Sequence, residues 1–204
     1  MTWMLTATGT VVDLARLGPT QIYISDIAHH LSQLNRFTGA CSRPYSVAEH
    51  SLLVVKILRM WGHQDPNLLL AGLLHDAHEA YCADISAPFK QVLGPLWARH
   101  EDQLQWSVLE RFRVLHSYVA AKHDIRNADL TALITERQAL MPAAGPAWAV
   151  AENYAPIQHD FAADESMTWK CWRQAFLEEF VTLNQQRDEA AKGQPLAGVA
   201  HQRI

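Results

Sequence analysis

Asp65-Pro66-Asn67-Leu68-Leu69-Leu70-Ala71-Gly72-Leu73-Leu74-His75-Asp76-Ala77-His78-Glu79 is the stretch whose reading decides the fold. Aspartate followed by proline is a helix start. The carboxylate accepts from a free backbone N–H, and proline occupies the first helical position, where no donor is needed. Leu68, Leu69, Leu70, Leu73 and Leu74 then leave no polar face, so the spacing predicts a helix from Pro66 to about Tyr81 at the centre of a domain. His75-Asp76 follows directly on that apolar run. A carboxylate in such a place is costly unless it is paired or bound to a cation.

Working outward, nearly everything reads helical. Upstream, Ser46-Val47-Ala48-Glu49 is a capping box that opens a helix through about Met60, with His50 in its first turns. Before it, Ser25 or Asp26 caps a helix with Ile27, Leu31 and Leu34 on its apolar face, ended by Thr38-Gly39. Downstream, Pro95 starts a helix carrying Leu104, Leu109 and Phe112, and another spans about Ser117 to Leu140. After an Ala/Pro-rich loop, Asp164 or Ser166 caps a last helix through about Leu183. The tryptophans from Trp97 to Trp172 sit at helical spacing and read as core. Residues 3–14 read as a strand pair turned at Thr8-Gly9. The expected architecture is an all-α helical bundle with a small N-terminal β-hairpin. It forms one unit over residues 1–188, with a flexible tail over 189–204 that carries Pro195 and Gly198.

Composition bounds the function. The chain has 204 residues, 49% of them apolar and 19% charged, enough to bury a core and unlike a disordered chain. Its net charge of −4 offers no basic footprint for phosphate backbones, which disfavours nucleic acid as the main partner. Cys41, Cys82 and Cys171 are odd in number, far apart and outside any CxxC, which fits a reducing compartment. The N-terminal residues do not read as a signal peptide, and no apolar window is long enough for a membrane span. The expected location is the cytoplasm. Eleven histidines are the one compositional oddity.

Four residues carry the chemistry. Adjacent residues of a helix project about 100° apart, so His75 and Asp76 can straddle one metal. His50 lies at the start of a neighbouring helix, and Asp129 is another acid beside an apolar stripe. Two imidazoles and two carboxylates suit one divalent metal ion with open positions for water and substrate: zinc, cobalt, manganese, magnesium or iron.

The ordered set His50, His75-Asp76, Asp129 resembles the HD-domain metal-dependent phosphohydrolase superfamily. Within it, the flanks Asp26-Ile27-Ala28-His29, Arg36-Phe37, Glu49-His50-Ser51, His75-Asp76-Ala77-His78-Glu79, Asp84 and Pro88-Phe89-Lys90 are similar to the small bacterial and phage 5′-deoxynucleotidases and deoxynucleoside triphosphohydrolases. The match covers roughly residues 20–140. The resemblance implies that His50, His75, Asp76 and Asp129 hold the metal. It implies that Glu79 orients or deprotonates the attacking water, and that Asp84 is a second acid at the substrate. Arg36 would contact phosphate, Phe37 would stand where a tryptophan often flanks base or sugar, and Lys90 and Arg126 would lie around the phosphates.

The expected activity is hydrolysis of a small-molecule (deoxy)nucleotide, either as a 5′-nucleotidase on monophosphates or as a triphosphohydrolase. The expected assembly is a homo-oligomer. An HD-domain di-iron oxygenase and a catalytically silent nucleotide-binding protein are the alternative readings. His78, one turn from His75, reads as supporting the site or the core.

Overall fold

The computed structural model describes residues 2–162, 164 and 166–193. It begins with a two-stranded antiparallel hairpin, β1 (Trp3–Leu5) and β2 (Val11–Asp13), in which Met4 faces Val12. Gly9 turns it at φ 84°, in the left-handed region that glycine enters freely. Nine α-helices follow among the described residues: α1 (Ile24–Leu31), α2 (Val47–Met60), α3 (Pro66–Leu73), α4 (Glu79–Cys82), α5 (Ala87–Leu93), α6 (Pro95–Arg111), α7 (Leu115–Ala120), α8 (Lys122–Leu140) and α9 (Trp169–Gly193). The chain is therefore an all-α bundle with a small N-terminal hairpin.

Helix α2 is the centre of the packing and lies against α3, α8 and α9. Val54, Leu58, Leu70, Leu73 and Phe176 are all but sealed from solvent between these helices, and Leu109 of α6 is sealed with them. The hairpin is fixed to the bundle by one carboxylate. Asp26, fully buried on α1, accepts from Thr6 Oγ1 at 2.9 Å, Thr8 Oγ1 at 2.8 Å and the Thr8 N–H at 2.8 Å.

Five expectations change. The helix expected from Pro66 to Tyr81 divides into α3 and α4, and His75-Asp76 lies in the turn between them. The reason is local: Ala77, Glu79 and Tyr81 each bond the carbonyl three residues back, which tightens the chain out of α-helical winding. The expected 117–140 helix divides into α7 and α8 at Ala121, which sits at φ −102°, ψ 15°. Asp26 anchors the hairpin and is not the cap of α1, whose N-cap is Tyr23. Helix α9 runs past Leu183 to Gly193, so residues 189–193 of the expected tail are helical. Gln185 to Lys192 contains only residues that tolerate or favour a helix, and the Arg187 guanidinium ties this stretch to the Phe112 carbonyl at 3.0 Å. Residues 194–204 lie outside the described residues. The tryptophans expected in the core are all at least partly solvated, Trp106 being 57% exposed.

Candidate metal centre

Three elements bring the four expected ligands together around His50 Nε2. The Ser46 hydroxyl accepts from the Glu49 N–H at 3.2 Å and starts α2, placing His50 one turn inside the core at 0% exposure. The Glu49 carboxylate does not return to Ser46 as a full capping box would; it chelates Arg43 at 2.6 and 3.0 Å. The tightened turn after α3 supplies His75 and Asp76, and α8 supplies Asp129. His50 Nε2 lies 3.3 Å from His75 Nε2, 3.6 Å from Asp76 Oδ2 and 3.4 Å from Asp129 Oδ1. His75 Nε2 is 3.1 Å from Asp76 Oδ2. Donor atoms of His50, His75 and Asp76, one from each, lie within 4.8 Å of one another, and Asp129 joins this group through His50 alone.

The other nitrogen of each ring assigns the tautomer. His75 Nδ1 donates to the Gly72 carbonyl at 2.8 Å, and His50 Nδ1 donates to Glu136 Oε1 at 2.5 Å. Each imidazole therefore turns Nε2 toward the other, His50 toward Asp76 and Asp129 and His75 toward Asp76. Acceptors facing each other this closely need a proton or a metal ion between them. Burial and the Arg36 charge push His50 down, but Glu136 and Asp129 outweigh them and raise it to about 9. That positive charge at Nε2 is one that a divalent metal can replace with release of the proton. His75 and His50 hold the Asp76 carboxyl well below the usual range despite its burial. Buried His and Asp groups of this protein can thus hold a metal ion, with the histidine–carboxylate support usual around bound metals.

Glu136 is the residue that the sequence reading missed. It is fully buried and accepts from His50, from the Tyr45 hydroxyl at 2.9 Å and from Arg36 Nε at 3.2 Å. Its signal was available: it stands two turns after Asp129 on the same face of α8, an acid inside an apolar stripe.

The remaining expected residues surround this centre. Arg36 is buried, pinned to Glu136 along one edge, and its Nη1 reaches 3.8 Å from Asp76 Oδ2. Phe37 and Thr38 hold left-handed backbones at φ 53° and 52°, a strain of roughly 1–3 kcal/mol per residue that clusters at functional sites. The Phe37 ring lies under the Arg36 guanidinium and 6.1 Å from the Trp148 ring, which the long loop after α8 supplies. Glu79 is buried beside Asp76 and Asp84, and burial together with their charges pushes its carboxyl well above the ordinary range. Burial likewise raises Asp84. Lys90 is held by Glu101 at 2.6 Å, and exposed Arg126 reaches Asp129 at 3.5 Å. Asp76, Asp129, Lys90, Arg126 and Glu101 line one cleft of about 700 Å³. Phe37 and Arg36 are not on its wall; they stand behind Asp76, on the Glu136 side.

No family model matches the chain. It is 33% identical over 153 residues to the uncharacterized protein YfdR of Escherichia coli K12, an overlap of 75% of this chain and 80% of that protein. It is also 36% identical over 116 residues to the uncharacterized protein RCAP_rcc00048 of Rhodobacter capsulatus, covering 54% of this chain and 58% of the relative.

Proposed function

The chain belongs to the family of the Escherichia coli protein YfdR, and we propose that it is a metal-dependent phosphohydrolase of the HD-domain type that cleaves a (deoxy)nucleotide phosphate ester. The observation that carries this reading is the pair of imidazole Nε2 atoms 3.3 Å apart, each ring fixed through its Nδ1 and each facing carboxylate oxygens. His50, His75, Asp76 and Asp129 hold one divalent metal. When bound, the metal supplies a Lewis acid and a water of lowered pKa at neutral pH.

The chain supplies the rest. Glu79, one turn past Asp76, accepts a proton from the attacking water and returns it to the leaving oxygen. Arg126 stands at the rim of the cleft, where its guanidinium can meet the equatorial phosphate oxygens, while buried Arg36 holds Asp76 from behind. Lys90 adds a point charge once it is released from Glu101. Asp84 lies near enough to Asp76 and Arg36 to feel both charges, which supports a role for it beside the leaving group or sugar. The three cysteines stand free, and no helix among the described residues is long and apolar enough to cross a membrane; a cytoplasmic nucleotide pool fits both facts.

Product analysis tests the proposal. Metal-loaded protein is incubated with each deoxynucleoside mono- and triphosphate, beside an Asp76→Ala control, and products are separated by chromatography. Nucleoside plus phosphate from monophosphates makes it a 5′-nucleotidase. Nucleoside plus triphosphate makes it a triphosphohydrolase. Absence of cleavage by protein with a filled metal site rejects the nucleotide reading.

A further inference from the structure

A second cluster of metal-ligating side chains stands beside the first, on three elements. His78 comes from the turn after α3, Glu79 opens α4, and Glu101 comes from α6. One ring nitrogen of His78 and one carboxylate oxygen from each glutamate lie within 4.8 Å of one another. His78 and Glu79 are 4% and 3% exposed. Neither ring nitrogen of His78 has a hydrogen-bond partner among the described residues, and Glu79 Oε2 is buried without one. His78 Nε2 points at Glu101 Oε1 across 3.5 Å, beyond good hydrogen-bond range. Each buried polar atom left unpartnered costs roughly 1–3 kcal/mol. Only one nitrogen of the His78 ring can face the glutamates; that nitrogen and Glu79 Oε2, gathered with a Glu101 oxygen, make an arrangement that a cation would satisfy.

We propose that His78, Glu79 and Glu101 form a second divalent-cation site, opening onto the same cleft as the first. His78 and Glu101 line that cleft together with His75, Asp76 and Asp129. One imidazole and two carboxylates suit a manganese- or zinc-like ion, with the cleft side left open to water or an oxyanion. A resident cation already tests the site. Lys90 Nζ sits 2.6 Å from Glu101 Oε1, on a flexible stem with the side chain 32% exposed. An incoming divalent ion competes with this ammonium for Glu101 and displaces it into the cleft. Glu79 can give Oε2 to the ion and keep Oε1 for a proton. Occupancy is read without turnover, so the assignment stands apart from the phosphohydrolase reading.

The experiment is a Mn²⁺ titration of the full chain, followed by electron paramagnetic resonance and equilibrium dialysis. The expected result is two bound ions per chain. His78→Gln with Glu101→Gln leaves one ion, whereas His50→Gln with Asp129→Asn leaves the other. Lys90→Met, which removes only the competing ammonium, tightens the second site by about tenfold, the ratio that 1.4 kcal/mol represents. This variant keeps the test decisive if the double glutamine variant does not fold. A single ion per wild-type chain, or two ions that persist in the folded His78/Glu101 variant, or a Lys90→Met affinity equal to wild type, overturns the proposal.

Discussion

Glu136 Oε1 lies 2.5 Å from Nδ1 of His50, although 86 residues separate them in the chain. Through that contact a residue two turns along α8 from Asp129 decides what His50 shows to the cleft. The carboxylate fixes the ring orientation and raises the basicity of Nε2, and the same carboxylate neutralises buried Arg36. Glu136→Gln keeps the shape and removes the charge. Its metal affinity is expected to fall about 10–100-fold, the usual effect of removing a ligand's supporting carboxylate. Glu136→Ala also leaves the Arg36 guanidinium buried and poorly paired, so unfolding free energy should drop by about 3–5 kcal/mol. Mn²⁺ titration and urea denaturation measure the two effects. An unchanged Mn²⁺ affinity in Glu136→Gln would mean that the contact serves folding alone.

The four-ligand centre ties metal to stability. A ligand that binds only the folded chain stabilises it by about 2.7 kcal/mol at a hundred times its Kd. For a chain of this size that raises Tm by roughly 5–10 °C. Chelator treatment should therefore lower Tm, and added metal should restore it. Asp76→Asn should be insensitive to both, because it removes one ligand and the charge that draws the ion. A chelator-insensitive Tm in the wild-type chain, after metal content is shown to have fallen to zero, would remove the centre from the folding balance.

The hairpin gives a contrasting case, stability without chemistry. Asp26 satisfies Thr6 and Thr8 from inside the bundle. Asp26→Ala strands those donors and should cost roughly 3 kcal/mol, since hydrogen bonds to a buried charge are each worth about 1.5–3 kcal/mol and do not add fully. Mn²⁺ affinity of the folded variant should stay within twofold of wild type. A large loss of affinity would show that the hairpin supports the centre as well as the bundle.

Local signals carried the fold. The Asp65-Pro66 start, the Ser46 cap and the Thr8-Gly9 turn each stand where the chain itself predicts them, because each depends on a few neighbouring residues. His50, His75, Asp76 and Asp129 were legible because charged and titratable groups are anomalous in apolar runs. What stayed hidden was non-local. The break before His75 depends on bonds to carbonyls three residues back, which no hydrophobic period reports. Glu136 was visible only to a count of two turns from Asp129. Glu101 looked like any solvated helix acid until α6 folded it onto Lys90 and His78. Trp148 sits in an Ala/Pro-rich loop, and only the tertiary fold brings it to Phe37.

Gly72 links packing to the centre most directly. Its carbonyl holds the His75 ring, and a Cβ built there would meet Leu58 Cδ1 at 2.5 Å. Leu58 is itself fully buried on α2, the helix of His50, so it has little room to retreat. Two effects oppose each other in Gly72→Ala. Alanine in a helix interior is better than glycine by about 1 kcal/mol. Overpacking a filled core costs about 1–3 kcal/mol. The clash should win, giving a net loss of about 1 kcal/mol in urea denaturation and weaker Mn²⁺ binding as α3 shifts away from α2. In a Leu58→Ala background the obstacle is gone, and Gly72→Ala should become neutral or stabilising. If alanine at position 72 stabilises both backgrounds equally, then α2 and α3 are not held at the distance that sets His50 against His75.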